Sequence, residues 1–320
     1  MISNRLFMRL LAFAALVAVI AAVFWSQNPA FLSGGNIRAL MRHMSVQGLA
    51  ALGLTFVIVV RHFDLSFPGV ASMGAMTLGW LIASGAPFPA AIAGALAVGL
   101  VFGLVNGTLV ARFGLPDIVT TIATGGLAVG FSYFYSNGTS ISQNFFMSGI
   151  LDLNDKRFLG LDMPFAILMA AAGMAAVVLH ASRIGAGMYA TGQNRVSARF
   201  AGIATRRLIV LAFALCGTMA CLAITLLVAS SGAANVTAGG QLLMPAFAAV
   251  YLGAALFGRP SVGATLAGTL MMSTMLNGFT LLAIPYYYSD AIVSTVLIAA
   301  IAIFDPRLSG LLTIRRKAAA

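Results

Sequence analysis

The residues that could do chemistry in this chain are few. Its 320 residues include only seven acids, every one an Asp, and no Glu. Three histidines (His43, His62, His180) and two cysteines (Cys216, Cys221) complete the set of side chains that bind metals or attack carbonyls. Zinc-hydrolase motifs built on Glu are therefore out of reach. The histidines lie far apart, whereas metal sites gather their ligands, so no metal is expected. A phosphate-cradling loop needs Gly-Lys followed by Ser or Thr. The only lysines, Lys156 and Lys317, follow Asp155 and Arg316, so this chain is not expected to hydrolyse ATP. The cysteines share one apolar run and read as small core residues. No nucleophile–base pair stands out; no catalytic residue and no cofactor is expected.

The placement of the acids is more informative. Asp64, Asp117 and Asp290 stand just before or at the start of apolar stretches, where a carboxylate satisfies free N–H groups and favours the helix dipole. Asp152, Asp155 and Asp162 fall in a polar connection, and Asp305 ends the last apolar stretch. None lies inside an apolar stretch. Ion-driven carriers keep an acid or a charged relay within the membrane. The pattern argues for an uncharged substrate, moved by energy supplied elsewhere or passively.

The elements that must position these residues follow from composition. Hydrophobic residues make up 61% of the chain and charged residues 8%, against about 25% charged in a soluble domain. A membrane-spanning helix takes about 20 apolar residues. The apolar stretches predict ten helices, at about 10–25, 45–60, 68–84, 88–111, 117–135, 163–180, 208–230, 242–257, 262–282 and 289–304. The expectation is an all-α polytopic membrane protein, a single transmembrane domain over 1–320. Its longest connections are a polar loop at 136–162 and a basic stretch at 183–207. Residues 1–25 could instead be a signal peptide with Arg5 and Arg9 as its basic end. No small-x-small cleavage site follows, which favours a first helix.

A net charge of +11 in a soluble protein would point to nucleic acid. Here it reads as topology. With the N-terminus inside, fourteen Lys and Arg fall in cytoplasmic segments, including Arg307, Arg315, Arg316 and Lys317. Only Arg38, Arg42, Lys156 and Arg157 fall outside. Both termini are then cytoplasmic. Trp25, Trp80, Tyr133, Tyr135 and Tyr286-Tyr287-Tyr288 fall near outer helix ends, where aromatic belts sit.

Two local patterns recur as they would in an inverted repeat. Phe67-Pro68-Gly69 pairs with Met244-Pro245-Ala246, and Asn106-Gly107 with Asn277-Gly278. Chance explains two such matches about as well. Gly99, Gly103 and Gly107 recur at four-residue spacing and leave one helix face bare for close approach. Gly263 and Ala267 repeat that spacing.

Three stretches resemble a known family. Arg61-His62-Phe63-Asp64-Leu65-Ser66 resembles the Asp-Leu-Ser signature of the ribose/xylose/arabinose-type permeases of bacterial ABC importers. Gly103 to Gly107 with Leu115 to Thr120 resembles its next block, and Leu276-Asn277-Gly278 also fits. Gly187 to Asn194 and Ala198 to Ile203 resemble its cytoplasmic coupling segment, the most specific match. Phe67-Pro68-Gly69 stands where the family usually has Val-Gly-Ser, Asp117 where it has Phe, and Val129 where an Arg is common. These departures bear on substrate subtype, not on class.

The resemblance implies an inner-membrane permease subunit that imports a neutral monosaccharide or related polyol. Its partners would be a separate ATPase, a periplasmic substrate-binding protein and a second permease chain, identical or not. It implies that Gly187, Tyr189, Ala190, Gly192, Asn194, Ala198, Arg199 and Gly202 couple to the ATPase. Asn194 can cap a short helix there, with Gly192 and Gly202 punctuating its ends. Asp64, Leu65 and Ser66 would form the signature at the cytoplasmic face, with Asp64 and Ser66 capping helix 3 and shaping the surface the ATPase meets. Asn106, Thr120, Thr124 and Asn277 read either as pathway residues or as interhelical hydrogen-bonding residues. The rivals are an importer for nucleosides, amino acids or other small metabolites, and a stand-alone carrier or channel.

Overall fold

The computed structural model describes residues 4–285, 287, 288, 291–296 and 298, with the side chains of 4–7 and 9 left aside. In lipid a backbone must satisfy its own hydrogen bonds, so long apolar stretches fold as helices. The chain runs through α1 (Asn4–Gln27), α2 (Gly34–Val59), α3 (Phe67–Ala83), α4 (Phe88–Ala111) and α5 (Asp117–Ser136). Two single-turn helices follow, α6 (Phe145–Ser148) and α7 (Asp152–Asp155), then an antiparallel hairpin of β1 (Arg157–Phe158) and β2 (Leu161–Asp162). Next come α8 (Met163–Ala176), continued by a π turn over Val177–Ala181, then α9 (Arg183–Gln193) and α10 (Arg195–Phe200). The chain continues as α11 (Thr205–Ser231), α12 (Leu243–Phe257) and α13 (Val262–Leu281).

Among the described residues seven helices are long and apolar enough to cross a membrane: α1, α2, α4, α5, α8 with its π turn, α11, and α12 with the turn before it. The apolar α3 is shorter, at 17 residues. The chain is a mostly helical, multi-pass membrane protein. The expected tenth helix, Asp290, Asp305, Tyr286 and the C-terminal basic residues lie outside the described residues, apart from helical turns at 291–296.

Two expected boundaries shift. Helix α2 begins at Gly34 rather than near residue 45, capped by Ser33, whose Oγ accepts from the Asn36 N–H at 3.3 Å. Arg38 and Arg42 thus lie within a helix, and their placement at its end keeps the charges out of lipid. The segment 183–193, expected as loop, is helix α9. Ser182 caps it, accepting from the N–H groups of Ile184 and Gly185 at 3.1 and 3.2 Å.

Helices α2 and α11 form the centre: 83% of the α2 span is buried, against 6% for α1 at the periphery. The bare face of α4 meets α11 as expected. A Cβ on Gly99 would collide with the Gly217 carbonyl, on Gly103 with that of Phe213, and on Gly107 it would come 2.6 Å from Val210 Cα. The parallel expectation for Gly263 and Ala267 fails. A Cβ on Gly263 would meet nothing, whereas one on Gly268 would strike the Ala249 carbonyl and one on Gly253 that of Ala264. The close face of α13 is Ala264–Gly268, one residue further along, because it is that face that turns to α12.

The contacts pair off under an exchange of α2 with α11, α3 with α12 and α4 with α13. The pair α3/α4 packs on α11, and the pair α12/α13 packs on α2. Phe247 of α12 lies 6.4 Å from Phe63 and 6.2 Å from Phe67. The turn before α12 reaches back to α3, where Ser72 Oγ accepts from the Gly239 N–H at 3.1 Å.

Candidate coupling surface and polar network

At one end of the bundle fall the basic residues Arg61, Arg112, Arg183, Arg195, Arg199, Arg206, Arg207 and Arg259, on the helix connections of that end and on α9, α10 and the start of α11. Helix α10 forms as expected: Asn194 Oδ1 accepts from the N–H groups of Val196 and Ser197, each at 3.0 Å. Gly202 closes the turn with a φ of +77°, a conformation that costs glycine least. Gly192 does not punctuate an end. It sits inside α9, where a Cβ would strike the Val59 carbonyl, so its role is to seat α9 on the end of α2. Gly187 likewise leaves room for Leu208, at 2.8 Å from an added Cβ.

The residues of this segment divide by exposure. Gly187, Gly192 and Ala198 are buried and act by shaping the segment, whereas Asn194, Arg199 and Gly202 are exposed, with Ala190 between. Arg199 is pinned by a bond from its Nε to Thr205 Oγ1 at 3.1 Å. Arg195 has its guanidinium held below its ordinary pKa by burial and by the charges of Arg199 and Arg206. Tyr189 turns inward: its hydroxyl donates to the Pro260 carbonyl at 2.8 Å, and its ring takes the Arg259 guanidinium at 5.2 Å. His180 lies against the same ring at 6.2 Å. Burial raises the Tyr189 hydroxyl pKa, and the Arg259 charge opposes that shift. Tyr189 thus joins α9 to the α12–α13 turn.

Sequence reading passed over Val196 and Phe200, which are 62% and 89% exposed. They stand at i and i+4, one face of α10, and this apolar pair inside the most basic connection was the available signal. Two large apolar side chains exposed side by side on a short helix among arginines make a candidate contact surface.

The Asp64-Leu65-Ser66 turn is not a surface. Asp64 and Ser66 are each 1% exposed, so they shape the nearby surface only by holding the turn. Asp64 Oδ1 accepts from the Ser66 N–H at 2.9 Å and from its hydroxyl at 2.5 Å. Ser66 makes no side-chain cap to α3. Its Oγ instead receives the Asn106 amide of α4 at 2.7 Å. Burial raises the Asp64 pKa, and the bonds from Ser66, Cys216 and Phe67 oppose the shift. Leu65 bonds through its N–H to Thr121 at 3.1 Å. Next to this turn His62 Nδ1 meets Asp117 Oδ2 at 2.9 Å, and the Phe63 N–H donates to the same oxygen at 2.9 Å. Asp117 also takes the Ile118 N–H at 2.9 Å, the local capping role expected of it. The His62 partnership spans 55 positions and had no local signal.

The four polar residues read as pathway or contact positions separate. Asn106 bonds across helices to Ser66, and Asn277 exchanges bonds with Asn36 at 2.8 and 2.9 Å. Thr120 and Thr124 return their hydroxyls to α5, to the carbonyls of Pro116 and Thr120 at 2.7 and 3.1 Å. None of the four lines the cavity of about 500 Å³ that opens at the other end beside α2, α8 and α11. At that end Arg42 binds Asp162 at 3.2 Å, and Arg157 binds it at 3.5 Å. These pairs fasten the 136–162 connection to the bundle.

Known proteins resemble this chain over most of its length. The family described as branched-chain amino acid transport system / permease component matches residues 36–301. The ribose import permease protein RbsC of Bacillus subtilis (strain 168) is 30% identical over 86% of each chain. The autoinducer 2 import system permease protein LsrC of Salmonella typhi is 30% identical over 96% of this chain and 87% of that one. The D-allose transport system permease protein AlsC of Escherichia coli (strain K12) is 29% identical over 90% and 89%. With a match across most of its length, α2 through α13 included, the chain belongs to the branched-chain amino acid transport system / permease component family.

Proposed function

We propose that this chain is the permease subunit of an ATP-binding-cassette importer that carries a neutral monosaccharide or related polyol across the bacterial inner membrane. The observation that carries the reading is near full-length likeness to import permeases for ribose, allose and autoinducer 2. It favours a sugar-like cargo over an amino acid. The chain itself is non-catalytic, with ATP hydrolysed by a separate subunit.

In this reading residues 1–320 form one transmembrane domain of ten helices, with both termini in the cytoplasm. The exchange of α2/α3/α4 with α11/α12/α13 supports an inverted repeat. The basic end faces the cytoplasm, following the excess of Lys and Arg inside. There the ATPase engages 183–207, with Val196, Phe200, Asn194 and Arg199 as the exposed contact and Tyr189 carrying the motion to α12–α13. The 136–162 connection lies in the periplasm, where the binding protein docks. A second permease chain completes the pathway.

The test is reconstitution in proteoliposomes with the cognate ATPase and binding protein. Labelled ribose or allose should accumulate only with ATP. Uptake by the purified chain alone would make it a carrier or channel, and binding-protein selectivity for amino acids or nucleosides would overturn the cargo class. Phe200→Asp should abolish ATPase binding while leaving the chain folded, since Phe200 is 89% exposed.

A further inference from the structure

The cavity at the end opposite the coupling surface follows α2 downward. Arg38 and Gln241 stand exposed at its mouth with Asn154 beside them, and Gln47 forms its floor. From Arg38 to Gln47 the helix rises roughly 13 Å at about 1.5 Å per residue. Its volume, about 500 Å³, falls in the size range of small-molecule sites.

Gln47 is the informative residue. It is 6% exposed, and its Oε1 accepts from Ser273 Oγ of α13 at 3.0 Å. Its amide nitrogen has no partner among the described residues, and the side chain lines the cavity. That nitrogen is open to the cavity, where an entering hydroxyl can accept from it in place of water. Arg38, His43, Asn154 and Gln241 line the same space and also lack side-chain partners among the described residues. Arg42 is matched by Asp162 at 3.2 Å and by Asp155 at 4.0 Å, which leaves the Arg38 charge at the exposed mouth, about two and a half helical turns from the Gln47 floor.

The remaining groups are mostly neutral and able both to donate and to accept. Amides and an imidazole match hydroxyls, which do the same, whereas a carboxylate or phosphate only accepts and would leave the amide oxygens idle. We propose that this cavity is a binding site within a single permease chain for a small neutral polyhydroxylated molecule, with Gln47 as its buried anchor. The site deepens the importer reading and rests on it: it would receive the cargo at the outer end. Because Gln47 also bonds Ser273, an occupant would touch the seam between α2 and α13. That seam continues through the Thr55–Thr265 hydroxyl pair at 2.6 Å toward the coupling end.

The experiment uses the permease–ATPase complex in nanodiscs, without binding protein. Gln241→Cys at the mouth, or Ala39→Cys as a second reporter, is labelled with a maleimide; the native Cys216 and Cys221 are buried. Ribose and allose should slow labelling in a saturable way, while sodium phosphate and succinate should not. Gln47→Leu should raise the half-protecting concentration about tenfold, the loss of roughly one hydrogen bond. Ser273→Ala, which removes the seam bond but leaves the Gln47 amide in place, should keep protection. Labelling indifferent to the sugars, protection by the anions instead, or equal loss in both variants would overturn the site. Uptake by the complex with its binding protein is measured in parallel. Uptake without protection sinks this site alone; protection without ATP-driven uptake sinks the importer reading alone.

Discussion

At the scale of single residues, Asp64 shows how a signature residue acts when it is buried. A carboxyl at 1% exposure carries a pKa raised above its ordinary 3.8 by burial, with its hydrogen bonds opposing the shift. The folded chain therefore holds this proton more tightly than the unfolded one. Its contribution to stability is greatest at or below the ordinary pKa and is lost as pH rises through the raised one. Asp64→Asn should flatten the fall in melting temperature measured from about pH 4 upward. An unchanged slope would show that Asp64 ionises in the fold as it does in water. Asn106 stands beside it with its Oδ1 buried and unpartnered, so Asn106→Ala removes both that orphan and the bond to Ser66. The two effects oppose each other, and the expected loss of stability is below about 2 kcal/mol in a thermal-shift assay.

At the scale of elements, glycine placement decides which helices touch backbone to backbone. The α4 stripe was legible in the sequence because Gly99, Gly103 and Gly107 stand at one spacing on one helix, and that spacing alone makes a face. The α13 face was not, because Gly263/Ala267 and Ala264/Gly268 are equally small pairs one residue apart. Only the rotation of α13 against α12 chooses between them. Gly268→Ala should cost about 1–3 kcal/mol, since its Cβ would strike the Ala249 carbonyl. Gly263→Ala should be neutral within about 1 kcal/mol, since nothing lies within 4 Å. Comparing the two melting temperatures in detergent checks this, and the reverse order would place the close face wrongly.

At the scale of the whole molecule, charge sorts the two ends. Eight arginines collect at the α9–α10 end, while the opposite end carries Arg38, Arg42, Lys156 and Arg157 interleaved with Asp152, Asp155 and Asp162. This asymmetry predicts orientation. In intact cells an impermeant maleimide should label Phe146→Cys, 87% exposed on the far connection, and should reach Phe200→Cys only after the membrane is opened. The opposite pattern would invert the proposed topology.

The chain alone determined its class, most helix positions, the charge asymmetry and the capping of α10 by Asn194. Each of these follows from local spacing: an apolar run long enough for lipid, a cap three residues from its donor, a basic cluster in one connection. It did not determine that Asp64 and Ser66 would be buried, that His62 would pair with Asp117, that Tyr189 would turn inward to Pro260, or that Gln47 would floor a cavity. Those outcomes join residues between 40 and 226 positions apart across helices such as α2 and α13, or depend on which face of a uniformly apolar helix turns inward. A chain that is 61% hydrophobic carries little contrast between its faces, so hydropathy cannot choose among them. Close packing of small residues and the need to pair buried polar groups make that choice, and both exist only once the helices are assembled.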